Sequence, residues 1–337
     1  MIKRLRQSLL GSAAMAKLVS AQERVADEQD KILRILTYHR VDHQESRPSL
    51  YPRVTVTPED FAEQMNFLAQ QYAPISLPDL MGYLENNSSA LPPRAVLVTF
   101  DDAYCDFAEQ AWPIMKREKI PATLFVPTAF PDHPQRFFWW DRLFQALRTT
   151  PRRDLLQTPV GELPLETEEQ REKTLVKMRD YVKTRPHAEA MAWIDEVCDE
   201  LDALPPEAAV LGWADLRRLA SEGVTLGAHT RTHPLVNRIS LQQARAEALG
   251  SLHDLQAQIG PVMPVFAYPS GGVSDEVVAG LAEDGFTLAF TTVRGLNSWP
   301  LKRPLQLRRI NVGPGTNMTA LRMQLLPQFG FIDRWVS

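Results

Sequence analysis

The chain has 337 residues, 44% of them hydrophobic, enough to bury a substantial core as one large domain or two ordinary ones. Its 37 basic and 41 acidic residues give a formal net charge of -4, so there is no polybasic footprint and no nucleic-acid partner is expected. Two cysteines, Cys105 and Cys198, provide neither a disulfide framework nor a thiolate metal cluster.

Residues 1–30 form a basic segment. "MIKRLRQSLLGSAAMAKLVSAQ" starts with Lys3, Arg4 and Arg6 and runs into a short apolar stretch with small residues, the outline of a secretory signal, but Lys17 interrupts it. An uncleaved amphipathic helix is expected, lying on a membrane surface or on the domain itself. It implies a cytoplasmic, membrane-peripheral protein, with a periplasmic or secreted one as the alternative. No later stretch approaches the roughly 20 apolar residues of a transmembrane helix.

From residue 32 the pattern alternates. "ILRILTYHRV" is strand-like and ends near His39, "TPEDFAEQMNFLAQQY" is an amphipathic helix capped by Thr57 with Pro58 in its first turn, and "AVLVTFDD" is a buried strand ending in Asp101 and Asp102. "FAEQAWPIMKREK" is helical and "PATLFVPTAF" a strand. The rhythm then breaks. No convincing strand lies between 131 and 211, and the charged "ETEEQREKTLVKMRDYVKTRPHAEAMAWIDEVCDEL" has helical apolar spacing, so a helical insertion is expected there, packed on a surface or forming a flap. The alternation resumes with the helix "WADLRRLASEG", the strand "VTLGAH", the helix "SLQQARAEALGSLHDLQAQIG" and the strand "PVFAYPS". It ends with the helix "VSDEVVAGLAEDG" and the strands "TLAFTTV" and "LQLRRINV". Strands separated by helices predict a parallel α/β sheet or barrel with its working groups at the carboxyl ends of the strands.

The chemistry gathers at those ends. Adjacent carboxylates repel and are costly to bury, so Asp101 and Asp102 need a cation or a proton relay. His229 and His233, four residues apart after another strand, supply two imidazoles, and with one carboxylate they make an open three-ligand site for zinc or a related divalent metal. The competing reading of the aspartates is a helix cap, and a lone His-x-x-x-His is weak. Their shared strand-end position makes coincidence the poorer account.

These segments resemble a known family. "TFDDAY" and "HTRTH" are similar to the first two motifs of NodB-type polysaccharide deacetylases, carbohydrate esterase family 4. "FAYPSGG", "LTYHRV" and "LRRINV" are similar to the branch with an early Tyr-His strand and a YPxG-type motif. The resemblance spans about 32–312. It implies a distorted (β/α) barrel at 31–130 and 212–325 with the insertion at 131–211, and removal of N-acetyl, or less often O-acetyl, groups from an acetylated glycan. It also implies one divalent metal, Zn²⁺ first and Co²⁺ or Ni²⁺ as alternatives. Carried over residue by residue, it gives Asp102, His229 and His233 as ligands, Asp101 as general base and His39 as the acid, since the Leu-x-His motif of many members has no counterpart after His253. Ala103 stands where many relatives have Gly.

Arg309 is expected to reach Asp101, with Arg308 pointing the other way along a strand. Tyr104, Asp141, Tyr268 and Pro269 are candidate substrate contacts, and the turn after Tyr268 a source of a backbone N–H for the oxyanion. "RFFWWDRL" suggests sugar stacking or an anchor for the insertion. Cys105 reads as a small buried thiol. The competing functions are a metal amidohydrolase acting on a small non-sugar amide and a carbohydrate-binding protein with a lapsed site. The intact Asp101, Asp102, His229 and His233 weigh against the latter.

Overall fold

The computed structural model describes residues 31–86 and 90–327, together with Val19; the expected N-terminal amphipathic segment otherwise lies outside the described residues. Seven parallel strands close into a ring: β1 (Ile32–Tyr38), β2 (Ala95–Phe100), β3 (Ala122–Val126), β4 (Thr225–Ala228), β5 (Val265–Ala267), β6 (Leu288–Arg294) and β7 (Leu307–Asn311). Closure comes from β1, which pairs with β2 from Arg34↔Val96 to Tyr38↔Phe100 and with β7 at Leu36↔Ile310 and Thr37↔Asn311. The register shifts between β6 and β7, where the pairing jumps from Phe290↔Leu307 to Arg294↔Arg309, and this irregularity distorts the barrel.

Side-chain parity explains what faces the barrel axis. Leu33 and Ile35 of β1, Ala95 and Leu97 of β2, Phe125 of β3, Val265 and Ala267 of β5, Leu288 and Phe290 of β6 and Leu307 of β7 form one buried cluster, which fills the lumen. Their neighbours Leu36, Tyr38, Val96, Val98, Phe100, Phe266 and Ile310 join a second cluster under the surrounding helices. Continuing the inward parity past the strand ends brings His39, Asp101, His229 and Arg309 to the same mouth. Gly227 is required in that lumen, because a Cβ there would lie 2.6 Å from the Phe125 ring.

The helices follow the expected signals. Thr57 caps α1 (Pro58–Gln71) through the Asp60 amide, a contact worth about 1 kcal/mol. α2 (Leu77–Glu85), which the sequence reading did not pick out, closes the amino end of the barrel with Leu77 and Leu80. A π-helical turn at Phe107–Ala111 precedes α3 (Trp112–Arg117).

The segment 131–211 holds α4 (Trp139–Thr149), α5 (Glu168–Thr184) and α6 (His187–Glu200), and also an antiparallel hairpin, Leu155–Thr158 with Gly161–Pro164. The expectation of no strand there is therefore corrected. Leu156 and Leu163 of the hairpin enter a third cluster with Trp139, Leu143, Leu175, Met178 and Ile194, which also takes in Tyr51 and Tyr104 from the barrel side. After it come α7 (Trp213–Ser221), α8 (Leu241–Ile259), α9 (Asp275–Glu283) and α10 (Met318–Gln324).

Candidate active site

At the carboxyl mouth the two aspartates separate at once. The Asp101 amide donates to Tyr38 O at 3.0 Å, extending the β1–β2 ladder, and then Asp102 and Ala103 turn left-handed with φ of 73° and 51°. Such backbone is strained for residues with a Cβ, and clusters of it mark functional sites. The loop is held by its neighbours: the Leu211 amide donates to Ala103 O and the Cys105 amide to Ala209 O. Asp106 accepts from Arg40 Nε at 3.0 Å and from the Val41 amide at 2.8 Å.

Asp101 accepts two hydrogen bonds from Arg309, Nη1 to Oδ1 at 2.8 Å and Nη2 to Oδ2 at 2.6 Å, while Arg308 is exposed. Burial would raise the Asp101 carboxyl, but the Arg309 charge and then His229 outweigh it and hold the group below the usual carboxylate range. Asp102 faces the histidines: its Oδ1 lies 3.3 Å from His229 Nε2 and 3.2 Å from His233 Nε2.

The His229 Nδ1 lies 2.8 Å from Ala267 O. A carbonyl only accepts, so this contact puts a proton on Nδ1 and turns Nε2 toward Asp102. His233, at φ 60°, is set by its amide bond to Thr230 Oγ1. Burial lowers the His233 imidazole below its ordinary value. For His229 the same burial is outweighed by the Asp102 contact and the two carboxylate charges, which raise it.

Asp102 Oδ1 is buried and has no hydrogen-bond partner among the described residues, although two imidazole nitrogens converge on it. One carboxylate oxygen and two imidazole Nε2 atoms, all within 4.8 Å of one another, suit a divalent cation.

Around this centre is an open cleft of about 670 Å³ lined also by His39, Trp139 and Trp140. The His39 side chain has no hydrogen-bond partner among the described residues. Trp140 meets the His233 ring edge-on at 5.0 Å, and Trp139 Nε1 is buried without a partner.

Four residues read as substrate contacts sit elsewhere. Tyr268 shares the outward parity of Phe266; it is buried, its hydroxyl donates to Leu305 O at 2.9 Å, and neither it nor Pro269 lines the cleft. The Gly271 and Gly272 amides donate within their own turn, to Tyr268 O and Pro269 O, while Ser270 of the same turn lines the cleft. Tyr104 and Asp141 are buried against each other. The Tyr104 hydroxyl donates to Asp141 Oδ2 at 2.7 Å and accepts from Trp140 Nε1 at 3.0 Å, while the Tyr51 amide donates to Asp141 Oδ1. Burial pushes the Asp141 carboxyl up to about 7. These two residues fix Trp140 rather than touch the cleft.

The Cys105 thiol is pushed up to about 11 by burial, which removes it as a nucleophile. Sequence reasoning missed Arg53, Arg179, Lys183 and Arg294, which border the cleft. The only local signal is the i, i+4 spacing of Arg179 and Lys183 on one face of α5.

A closed parallel barrel with such a centre at its carboxyl mouth is that of a barrel hydrolase. A family profile for polysaccharide deacetylases matches residues 88–289, and the chain belongs to the polysaccharide deacetylase family. Solved structures show the same fold. The Streptococcus pyogenes deacetylase PplD in complex with acetate is 21% identical with a TM-score of 0.59, covering 88% of this chain and 99% of that one. A de-N-acetylase from Aggregatibacter actinomycetemcomitans is 17% identical with a TM-score of 0.57, over 87% and 99%. IcaB from Ammonifex degensii is 18% identical with a TM-score of 0.56, over 88% and 98%. No curated protein matches the sequence.

Proposed function

We propose that the protein removes acetyl groups, N-acetyl in the first instance, from a polysaccharide, oligosaccharide or glycan precursor, using one divalent metal held by Asp102, His229 and His233. The observation that carries this reading is the partnerless buried Asp102 Oδ1 facing two imidazoles, beside a second aspartate held ionised by Arg309. Zn²⁺ fits the donor set best, with Co²⁺ or Ni²⁺ as alternatives. When bound, the cation supplies Lewis acidity, polarising the acetyl carbonyl and acidifying water.

The chain's own groups divide the proton work. Asp101 takes a proton from the attacking water; its paired bonds to Arg309 fix the carboxylate and leave a lone pair on each oxygen. As the carbonyl carbon gains oxygen and the C–N bond breaks, His39 gives a proton to the leaving amine. Trp139 and Trp140 border the cleft as nearly buried apolar wall, with the Trp140 ring stacked on Phe138 at 4.6 Å. The barrel unit in this reading is 31–130 with 212–325, and 131–211 is an insertion that walls the cleft.

The test pairs two variants. Asp101→Asn is expected to keep its metal by elemental analysis while acetate release falls about 10²- to 10⁴-fold, the usual share of general base catalysis. Asp102→Asn is expected to lose metal. Reversed metal occupancies would exchange the two roles, and full activity in both would end the mechanism.

A further inference from the structure

The cleft that surrounds the catalytic centre is charged in a way the chain as a whole is not. Arg53, Arg179, Lys183 and Arg294 all line it, whereas among the described residues its only acidic lining residues are Asp101 and Asp102. Asp101 is matched by Arg309, and Asp102 faces the two histidines inward, away from the rim. The four rim cations have no such match: none makes an ion pair within 4.0 Å among the described residues. This excess of positive charge sits in a chain whose formal net charge is -4.

The cations come from three separate parts of the fold and converge. Arg294 ends β6, Arg53 lies on the loop after β1, and Arg179 and Lys183 stand one turn apart on α5. Arg179 is held in place, with its guanidinium 4.6 Å over the Tyr51 ring and Nη1 donating to the Tyr51 hydroxyl at 2.5 Å, yet its Nε is buried with no acceptor. Arg294 Nη1 is likewise buried and without a partner among the described residues. Lys183 sits below its ordinary value because of burial first and the Arg179 charge second. Glu172 and Asp180 on the same helix are near enough to be felt by Tyr51, but neither pairs with a rim cation. Like charges one turn apart repel, and partly desolvated guanidinium N–H groups without acceptors are costly. Both costs are relieved by an anion brought in with the substrate, for which arginine forks are suited to carboxylate and phosphate alike.

We propose that this cleft selects acetylated glycans bearing an anionic group, a carboxylate or a phosphate, which Arg53, Arg179, Lys183 and Arg294 bind while the acetyl group lies at the Asp102 centre. The inference rests on the deacetylase reading and narrows its substrate class.

The experiment compares three acetylated substrates of matched length with the full-length protein: a neutral N-acetylglucosamine oligomer, one alternating with glucuronate, and one carrying a phosphate monoester. At low salt kcat/KM for at least one anionic substrate is expected to exceed that for the neutral one by about tenfold or more, through KM, as charged hydrogen bonds to an anion imply. The advantage should collapse at about 1 M salt, where the Debye length is about 3 Å. Whichever anionic arm shows it distinguishes carboxylate from phosphate. Lys183→Met and Arg294→Gln together are expected to lower the anionic-to-neutral ratio by about tenfold. A ratio at or below one, or a ratio that neither salt nor the variants move, overturns the proposal while acetate release from the neutral oligomer leaves the deacetylase reading standing. If no substrate releases acetate, that reading fails, and calorimetric binding of the same three compounds decides the anion site: salt-sensitive preference for an anionic compound supports it, and equal binding overturns it.

Discussion

The floor and the wall of the cleft handle charge in opposite ways. On the floor Asp101 is paired with Arg309, and Asp102 Oδ1 faces His229 and His233 without a hydrogen bond among the described residues, all nearly inaccessible to water. On the wall Arg53, Arg179, Lys183 and Arg294 share one sign and make no ion pair among the described residues. Barrel strands, tied to their neighbours by ladders on both sides, can hold buried charges in fixed opposition. The wall comes largely from loops and the 131–211 segment, which leaves its charge to be balanced from outside. In the proposed function, this contrast separates chemistry at the barrel mouth from recognition at its rim.

Arg309→Met breaks the paired side most severely. It strands the Asp101 carboxylate in the lumen and is expected to cost about 3–5 kcal/mol at neutral pH, read by denaturant unfolding. Part of that loss should return on acidification, because Asp101 can then take a proton. A cost under about 1 kcal/mol would mean that floor charges are as independent as wall charges.

A smaller effect comes from Asp141, behind the wall. Its folded-state carboxyl titrates near 7, above the ordinary 3.8, so between those values the folded protein retains a proton that the unfolded chain has lost. Stability contributed by this group is present below about 4 and falls as pH rises through about 7, by at most about 4 kcal/mol. Melting temperature against pH should show this decline in the parent and a flatter curve in Asp141→Asn; parallel curves would show that Asp141 is ionised throughout.

The smallest effect sharpens the comparison from the other side. Lys183→Met removes a repelling charge and cuts no ion pair, so thermal unfolding should register a change within about 0.5 kcal/mol, in the stabilising direction. A clear loss of stability would reveal a partner for Lys183 and end the contrast.

The floor was legible in the sequence because barrel geometry repeats a simple rule: apolar alternation, then a polar residue of inward parity at the strand end. That rule reaches Asp101, His39, His229 and Arg309 without knowledge of packing. It also explains the misplacement of Tyr268, whose parity with Phe266 turns it outward. Tyr104 and Asp141 were visible as polar residues beside the motif, but only tertiary packing puts one against the other and away from the cleft. The 155–164 hairpin was hidden by short strands with exposed Leu155, although Pro159 between them and Gly161 at the start of the second were a turn signal. The wall cations are scattered from Arg53 to Arg294, and no local pattern joins them.

Ring closure also fixes when the centre can come into being as the polypeptide is made. The Arg309 guanidinium lies 208 residues downstream of Asp101, and β1 finds its second parallel neighbour only when β7 arrives. At synthesis rates of about 5–20 residues per second, the nascent chain carries Asp101 without its cation, and β1 with an open edge, for on the order of 10–40 s. Long-range pairing of this kind makes the last steps of folding slow relative to the local helices. The Asp101–Arg309 pair is thus assembled only after the final barrel strand leaves the ribosome, so an unfinished chain holds the motif without that pair.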